Sequence, residues 1–195
     1  MNTARPYHAE IYNPVYTHYT LLFVYACVTY AIIGFSWGAI MGGIPALRNF
    51  VDYAPHGKLI LLAHGHINLL GWVEMAIFGA IYYFIPRLVN RPIFSLKLVK
   101  VHFWVHNVGL MGMVILFTVA GSIGGYTPDA HSEKMVNHLM AGVGFFGTLV
   151  LLANIIWGYN IFKTGKKGPD SVAVNETKSE AKRSPTFLAD TLVNP

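Results

Sequence analysis

Apolar residues run almost unbroken along four stretches of the chain, and polar residues collect between them. Thr20–Met41, Val101–Ile123 and Met135–Phe162 hold no Asp, Glu, Lys or Arg, and Leu59–Ile85 holds only Glu74. A run of roughly 18 or more apolar residues is long enough to cross a bilayer. Nothing alternates with the two-residue period of a barrel strand, and hydrocarbon offers the backbone no hydrogen-bond partner, so the runs predict helices. At about 1.5 Å per residue each is roughly 30–40 Å long, enough to span with some tilt. The connections are short, so successive helices are expected to lie side by side in opposite directions. The predicted fold is all-α: a polytopic membrane protein built as an antiparallel four-transmembrane-helix bundle.

The polar breaks set the remaining organisation. "MGGIPALRNFVDYAPHGK" reads as an outer turn, and "PRLVNRPIFSLK" as an inner turn in which Pro86 and Pro92 cannot continue a helix. "GGYTPDAHSEK" reads as a second outer turn carrying His131 as an ordinary solvated residue. Residues 1–19 form a cytoplasmic amino-terminal segment and residues 20–162 the transmembrane domain. Residues 163–195 are polar, mixed in charge and too poor in apolar side chains to build a core, which predicts a disordered cytoplasmic tail. The first twenty residues lack the pattern of a signal peptide, so span one is expected to act as an uncleaved insertion signal.

Composition agrees with the pattern: 54% of residues are hydrophobic and 12% charged, where a soluble domain has about a quarter charged. The net charge of +5 could suggest nucleic acid, but its distribution argues otherwise. Arg5 precedes span one, Arg87, Arg91, Lys97 and Lys100 lie between spans two and three, and Lys163, Lys166 and Lys167 follow span four. The other connections hold only Arg48, Lys58 and Lys134. By the positive-inside rule both termini are cytoplasmic. Basicity here reports topology, and no nucleic-acid partner is expected. The single Cys27 excludes a disulfide or a CxxC metal site within one chain.

The candidate chemistry sits inside the spans. With that topology His64 and His66 lie roughly 8–10 Å below the outer start of span two, and His138 about 5 Å below the start of span four. A bis-histidine haem needs one imidazole from each of two facing helices between apolar walls, and His64 with His138 meets that on depth. His64 and His66 are about 200° apart around the helix, so only one of them can ligate a given centre. His64 is preferred because its face continues through Asn68, Gly71, Met75, Gly79 and Tyr82. Asn68 on that face could orient a ligand or a haem edge. Gly71, Gly79, Gly142, Gly144 and Gly147 could make room, although glycines also serve close helix packing. Against all of this stands the plain reading that a histidine near a helix end is an interfacial residue.

Glu74 lies near the middle of span two, where an ionised carboxylate costs at least ~2.5–3.5 kcal/mol, so it should be protonated, paired or beside water. His106 and Asn107 come close to its depth from span three, which makes Glu74 and His106 a candidate proton-handling pair. His102 and His106 share a face and form a weak candidate for a second metal, with His18 the one other histidine at that level. Tyr82, Tyr83, Trp104, Trp157 and Tyr159 read as interfacial belt residues.

The segment "HGHINLLGWVEMAIFGAIYYFIPR" resembles the second helix of the haem–copper (cytochrome c) oxidase catalytic subunit, subunit I. In that family a low-spin haem ligand sits near the start of the helix and a proline near its end, the places held here by His64 and Pro86. The fuller pattern, with "AHGHINLLGW", "YYFIPR" and "KVHFW", is similar to short four-helix bacterial proteins described as subunit-I-like. The resemblance covers about Pro55 to Met113, with spans one and four matching in outline. It implies helices one to four of subunit I, a location in the bacterial inner membrane, and one low-spin haem b with His64 as carried-over ligand. His138 as the opposite ligand is a reading from depth. In the full subunit the copper ligands, the high-spin haem ligand and the second low-spin ligand lie on helices beyond the fourth, so oxygen reduction by this chain alone is not implied.

The function expected is therefore electron transfer or haem or gas sensing in a respiratory context. The alternatives are a non-haem accessory or assembly subunit binding copper or zinc, and a proton-handling auxiliary subunit. Expected partners are the lipid bilayer, other respiratory membrane subunits or a c-type cytochrome, and a second copy of the chain.

Overall fold

A computed structural model of the chain describes residues 14–166, and every element in it is helical. The helices are α1 (Pro14–Gly43), α2 (Pro45–Tyr53), α3 (Lys58–Leu88), α4 (Leu96–Tyr126) and α5 (Ala130–Lys166). All but α2 are long and apolar enough to cross a membrane. The expected all-α membrane-spanning fold is the fold observed.

Successive long helices run antiparallel. Along α1 and α3, Phe23 meets Phe78, Tyr30 meets Gly71, Gly34 meets Asn68 and Gly38 meets His64. Between α4 and α5, Gly109 meets Val150, Leu116 meets Gly142 and Ser95 meets Asn160. α4 is the central helix: 44% of its most apolar stretch is buried, against 17% for α1 and for α5. Most of the outward surface of the flanking helices, including Ile32, Phe35, Phe145 and Ile155, is apolar and suited to lipid.

Four local features depart from expectation. The first outer turn contains α2, whose Leu47, Phe50 and Val51 fall at helical spacing and pack with Met41 and Ile60. Its start is favourable because Pro45 needs no N–H there and Ile44 before it is extended.

Secondly, α1 begins at Pro14 and α5 continues to Lys166, so the described parts of the expected terminal segments are helical. Buried polar residues dock these ends. Asn160 accepts from the Ser95 N–H and donates to the Ser95 carbonyl, both at 3.0 Å. Thr164 accepts from the Phe94 N–H at 3.0 Å. The disorder expected over the rest of the tail falls on residues outside those described.

Thirdly, α3 does not stop at Pro86 but runs on to Leu88. Proline leaves the carbonyl four residues earlier without its helical donor. That carbonyl belongs to Tyr82, and the Tyr16 hydroxyl of α1 donates to it. A tertiary hydrogen bond thus satisfies a backbone group that lipid would have left bare.

Fourthly, residues Ile67–Val73 of α3 form a π-helical segment, closed by the Glu74 N–H donating to the Leu69 carbonyl. The wider turns shift the phase of the helix beyond them, so faces projected from His64 along an ideal helix do not hold to Glu74.

The last turn before α5 is closed by reciprocal caps. The Ser132 N–H donates to Asp129 Oδ1 at 2.7 Å, and the Asp129 N–H to Ser132 Oγ at 3.1 Å. The hydrogen bond from the Ser132 backbone holds the Asp129 carboxyl below its ordinary range.

Candidate functional site

Two groups of polar side chains lie within the bundle. For orientation, the end carrying Arg87, Lys97, Lys100 and Lys163 is here the basic end, and the end carrying His56, Asp129 and Glu133 the far end.

Toward the far end, the structure does not bring His64, His66 and His138 together. His64 is half-buried against α1, its ring 6.4 Å from that of Trp37. A Cβ on Gly38 would lie 2.9 Å from His64 Nε2, so the glycine is what admits the ring. Gly34 plays the same part for Asn68, whose amide donates to the His64 backbone carbonyl at 2.9 Å and not to its ring. Farther along this face Tyr30 packs on Gly71 and Phe23 on Gly79. The stripe expected to line a haem pocket is filled by α1: its small residues serve helix contact.

His66 points the other way, toward α4, with its ring 5.0 Å from that of Phe117. It borders an open groove of about 220 Å³ whose other walls are Leu61, Leu62, Gly65, Leu69 and Leu70. His66 Nδ1 lies 2.7 Å from the Leu62 carbonyl. With Nδ1 turned to that carbonyl, Nε2 is the nitrogen left to serve as a ligand. His138 is exposed on α5 and has the same arrangement, with Nδ1 2.7 Å from the Lys134 carbonyl. The pairing of His64 with His138 across one bundle has no geometric support, because one ring faces α1 and the other is exposed on the helix that packs chiefly along α4. For the group implied by the resemblance, the fit is partial. His66 offers one free imidazole nitrogen and one apolar wall.

The second group occupies the basic half and is far more buried. His102 and His106, one turn apart on α4, are both 0% exposed. His102 Nδ1 is 3.1 Å from the Tyr82 hydroxyl, which also lies within reach of Asn160. His106 Nε2 is 3.0 Å from the Leu70 carbonyl of the π segment and 3.8 Å from Glu74 Oε2. The Nε2 atom donates to the carbonyl, so His106 Nδ1 is the acceptor nitrogen. The Glu74 carboxyl also lies beside Asn154 of α5. Phe78 sits edge-on to both histidines, its ring 4.4 Å from His102, 5.3 Å from His106 and 5.1 Å from Trp157.

Four buried atoms among the described residues have no hydrogen-bond partner, Glu74 Oε2, His102 Nε2, His106 Nδ1 and Trp157 Nε1, and the last three belong to rings packed on Phe78. The expected proximity of Glu74 and His106 is therefore present as a distance. The weaker expectation of a metal on His102 and His106 meets rings 6.1 Å apart at 81°, with one nitrogen of each turned to Tyr82 and to Leu70. His18 is exposed and adds nothing to them. Among the described residues no three His, Cys, Asp or Glu side chains come together as a metal site.

Several members of this group are not legible in the sequence. Tyr82 and Trp157 read as interfacial, but Tyr82 is fully buried and Trp157 packs on Phe78 with its indole N–H enclosed. Tyr83, Trp104 and Tyr159 are exposed, and Arg87 stacks 3.6 Å over the Tyr83 ring. Asn154 and Asn160 do not figure among the expected site residues. A signal for them exists: two amides in an apolar run have to find partners inside the bundle.

Comparison with known proteins places this geometry in context. Residues 3–156 match the family model described as cytochrome C and quinol oxidase polypeptide I. The chain is 32% identical over 141 residues to a cytochrome c oxidase subunit 1 of Rhodobacter capsulatus, covering 65% of this chain and 25% of that protein. It is 31% identical over 142 residues to a bacteroid cytochrome c oxidase subunit 1 homolog of Bradyrhizobium diazoefficiens, covering 66% and 25%. A cytochrome c oxidase polypeptide 1 of Halobacterium salinarum is 27% identical over 153 residues, covering 76% and 24%. The chain spans about a quarter of the length of these curated relatives.

Proposed function

Because the chain belongs to the cytochrome C and quinol oxidase polypeptide I family, we propose that it is a bacterial respiratory-membrane protein that holds one b-type haem at the far end and takes part in electron transfer. The observation that carries this reading is His66: an imidazole with a free Nε2 at the edge of an apolar groove, its other nitrogen anchored to the Leu62 carbonyl. The anchor fixes the tautomer and the ring plane, as is usual for ligating histidines. Leu61, Leu62, Leu69 and Leu70 supply the apolar wall, and Gly65 keeps it low. The bound group would supply reversible one-electron chemistry. His64, turned to Gly38 of α1, is the second choice of ligand, and Asn68 steadies the backbone between the two.

The groove would cover only part of such a group, so a neighbouring chain would have to supply the rest of its surroundings. A second copy offering His138 or another respiratory membrane subunit would do, and a c-type cytochrome is the proposed redox partner. The basic end faces the cytoplasm by the positive-inside rule.

The test is a reduced-minus-oxidised visible spectrum of the purified protein produced with ample haem. We expect the bands of a six-coordinate b-type haem, lost in His66→Ala and kept in His131→Ala. Loss in His64→Ala with retention in His66→Ala would move the ligand to His64. A colourless wild-type protein would overturn the haem reading.

A further inference from the structure

Between α3 and α5 a polar pair opens toward lipid at mid-membrane. Glu74 lies halfway along α3, and its side chain is 22% exposed at a depth where the surroundings are lipid tails. Asn154 of α5 lies beside its carboxyl and is half-buried in the same seam. The outward hydroxyls of Thr29 and Thr148 are closed within their own helices, donating to the Tyr25 carbonyl at 2.8 Å and the Gly144 carbonyl at 3.0 Å. The pair is not closed in this way. Asn154 turns one N–H to the Val150 carbonyl at 3.2 Å, which leaves its second N–H and its oxygen for Glu74 and for a group outside. Glu74 Oε2 is buried toward His106, 3.8 Å from Nε2, and the exposed part of the side chain meets hydrocarbon. Lipid tails offer a carboxyl or an amide no hydrogen bond, so polar groups in the spans are expected to face protein.

The surface around the pair admits a close neighbour. Gly158 is one turn from Asn154 along α5, and a Cβ there would meet nothing within 4 Å. Leu151 and Phe162 on α5 and Ile77 on α3, which flank it, are exposed and apolar. Small residues let membrane helices approach closely, and polar side chains beside them hydrogen-bond across the contact.

A second copy of the chain is the occupant these features select. The positive-inside rule inserts every copy the same way up, so Glu74 and Asn154 lie at the same depth in each. A two-fold axis along the membrane normal then sets the patch against itself, carboxyl to amide and amide to carboxyl. A wholly apolar helix would cover the seam and leave both groups unmet. We propose that the chain forms a parallel homodimer through the α3–α5 seam, in which Glu74 hydrogen-bonds the partner's Asn154 and Gly158 permits the close approach.

Energy transfer tests this, with full-length protein carrying a donor or an acceptor fluorophore at its carboxyl terminus. The protein, as purified, is reconstituted in vesicles over a range of protein-to-lipid ratios. Transfer should persist at dilutions where random encounters give none, and should fit a dimer. Glu74→Leu and Asn154→Leu should each raise the mole-fraction dissociation constant about ten-fold or more. Glu74→Gln, which keeps a donor and an acceptor, should retain most of the association. Gly158→Leu should weaken it as much as Glu74→Leu, and the open space at that position leaves the bundle itself intact. Ile32→Ala, on the outward face of α1, should change nothing. If Glu74→Leu does not fold, Gly158→Leu decides. A monomer at every ratio, a stoichiometry above two, wild-type association in Gly158→Leu, or equal weakening by Ile32→Ala would each overturn the proposal. The readout is the same whether or not the sample is coloured, so it stands or falls apart from the haem proposal.

Discussion

Two pairs of histidines, His66 with His138 toward the far end and His102 with His106 in the basic half, use their rings in opposite ways. His66 and His138 turn one nitrogen to a carbonyl of their own helix and leave the other available, half-buried or exposed. His102 and His106 are sealed inside, contacting Tyr82, Leu70 and Glu74 from other parts of the bundle. A locally anchored ring depends little on tertiary packing, so it can face an outside ligand without weakening the fold. A ring that spans helices belongs to the core. The residue type is the same; what differs is whether its fixed hydrogen bond lies within the helix or between helices.

Substitutions can break that contrast at several strengths. Phe78→Ala should be the most damaging, destabilising by about 3–5 kcal/mol through a cavity in the middle of the basic half. It would show as a large fall in the unfolding midpoint in detergent. His106→Leu should cost about 1–3 kcal/mol by leaving the Leu70 carbonyl and the Glu74 carboxyl without their neighbour. Tyr16→Phe should cost about 1–2 kcal/mol, because the Tyr82 carbonyl bared by Pro86 loses its donor, and the loss should vanish when Pro86 is Ala. His138→Ala should fall within about 0.5 kcal/mol, the range of exposed positions away from such features. A His138→Ala effect as large as that of His106→Leu would abolish the distinction between the two halves.

The smallest effect concerns pH at the far end. The Ser132 backbone N–H holds the Asp129 carboxyl below the usual carboxylate range. A depressed folded-state value means the ionised form is favoured by folding. Its contribution is present above the unfolded value and is lost as pH falls through the folded one. Fraying at the start of α5, monitored by amide exchange, should therefore increase on acidification below about pH 4, and Asp129→Asn should flatten that dependence.

Much of the architecture is legible in the sequence because it depends on length and polarity alone. Four uncharged or nearly uncharged runs can hardly be anything but membrane helices, and their order with short connections makes them antiparallel. The candidate site is legible only in part. Glu74 and His106 can be matched by depth, since rise per residue carries over from sequence to structure. Rotation cannot: the π segment at Ile67–Val73 changes the phase after His66. The preference for His64 rests on Asn68 and a stripe of small residues along its face, together with the family resemblance, and a glycine invites a neighbouring helix as readily as a cofactor. Pro86 reads as a stop because its replacement donor, Tyr16, lies 66 residues away in sequence.

The sequence by itself determined that this is a four-span membrane protein with histidines at two depths and one carboxyl at mid-membrane, because hydrocarbon imposes those limits on each segment separately. Only the tertiary structure decided which face each histidine presents. It closed α1 over His64 and Asn68, left His66 beside a groove, and gathered Tyr82, Trp157, Asn154 and Asn160 around the inner pair. These choices depend on which helix meets which face. That is settled by the simultaneous packing of side chains distant in sequence, which no single segment encodes.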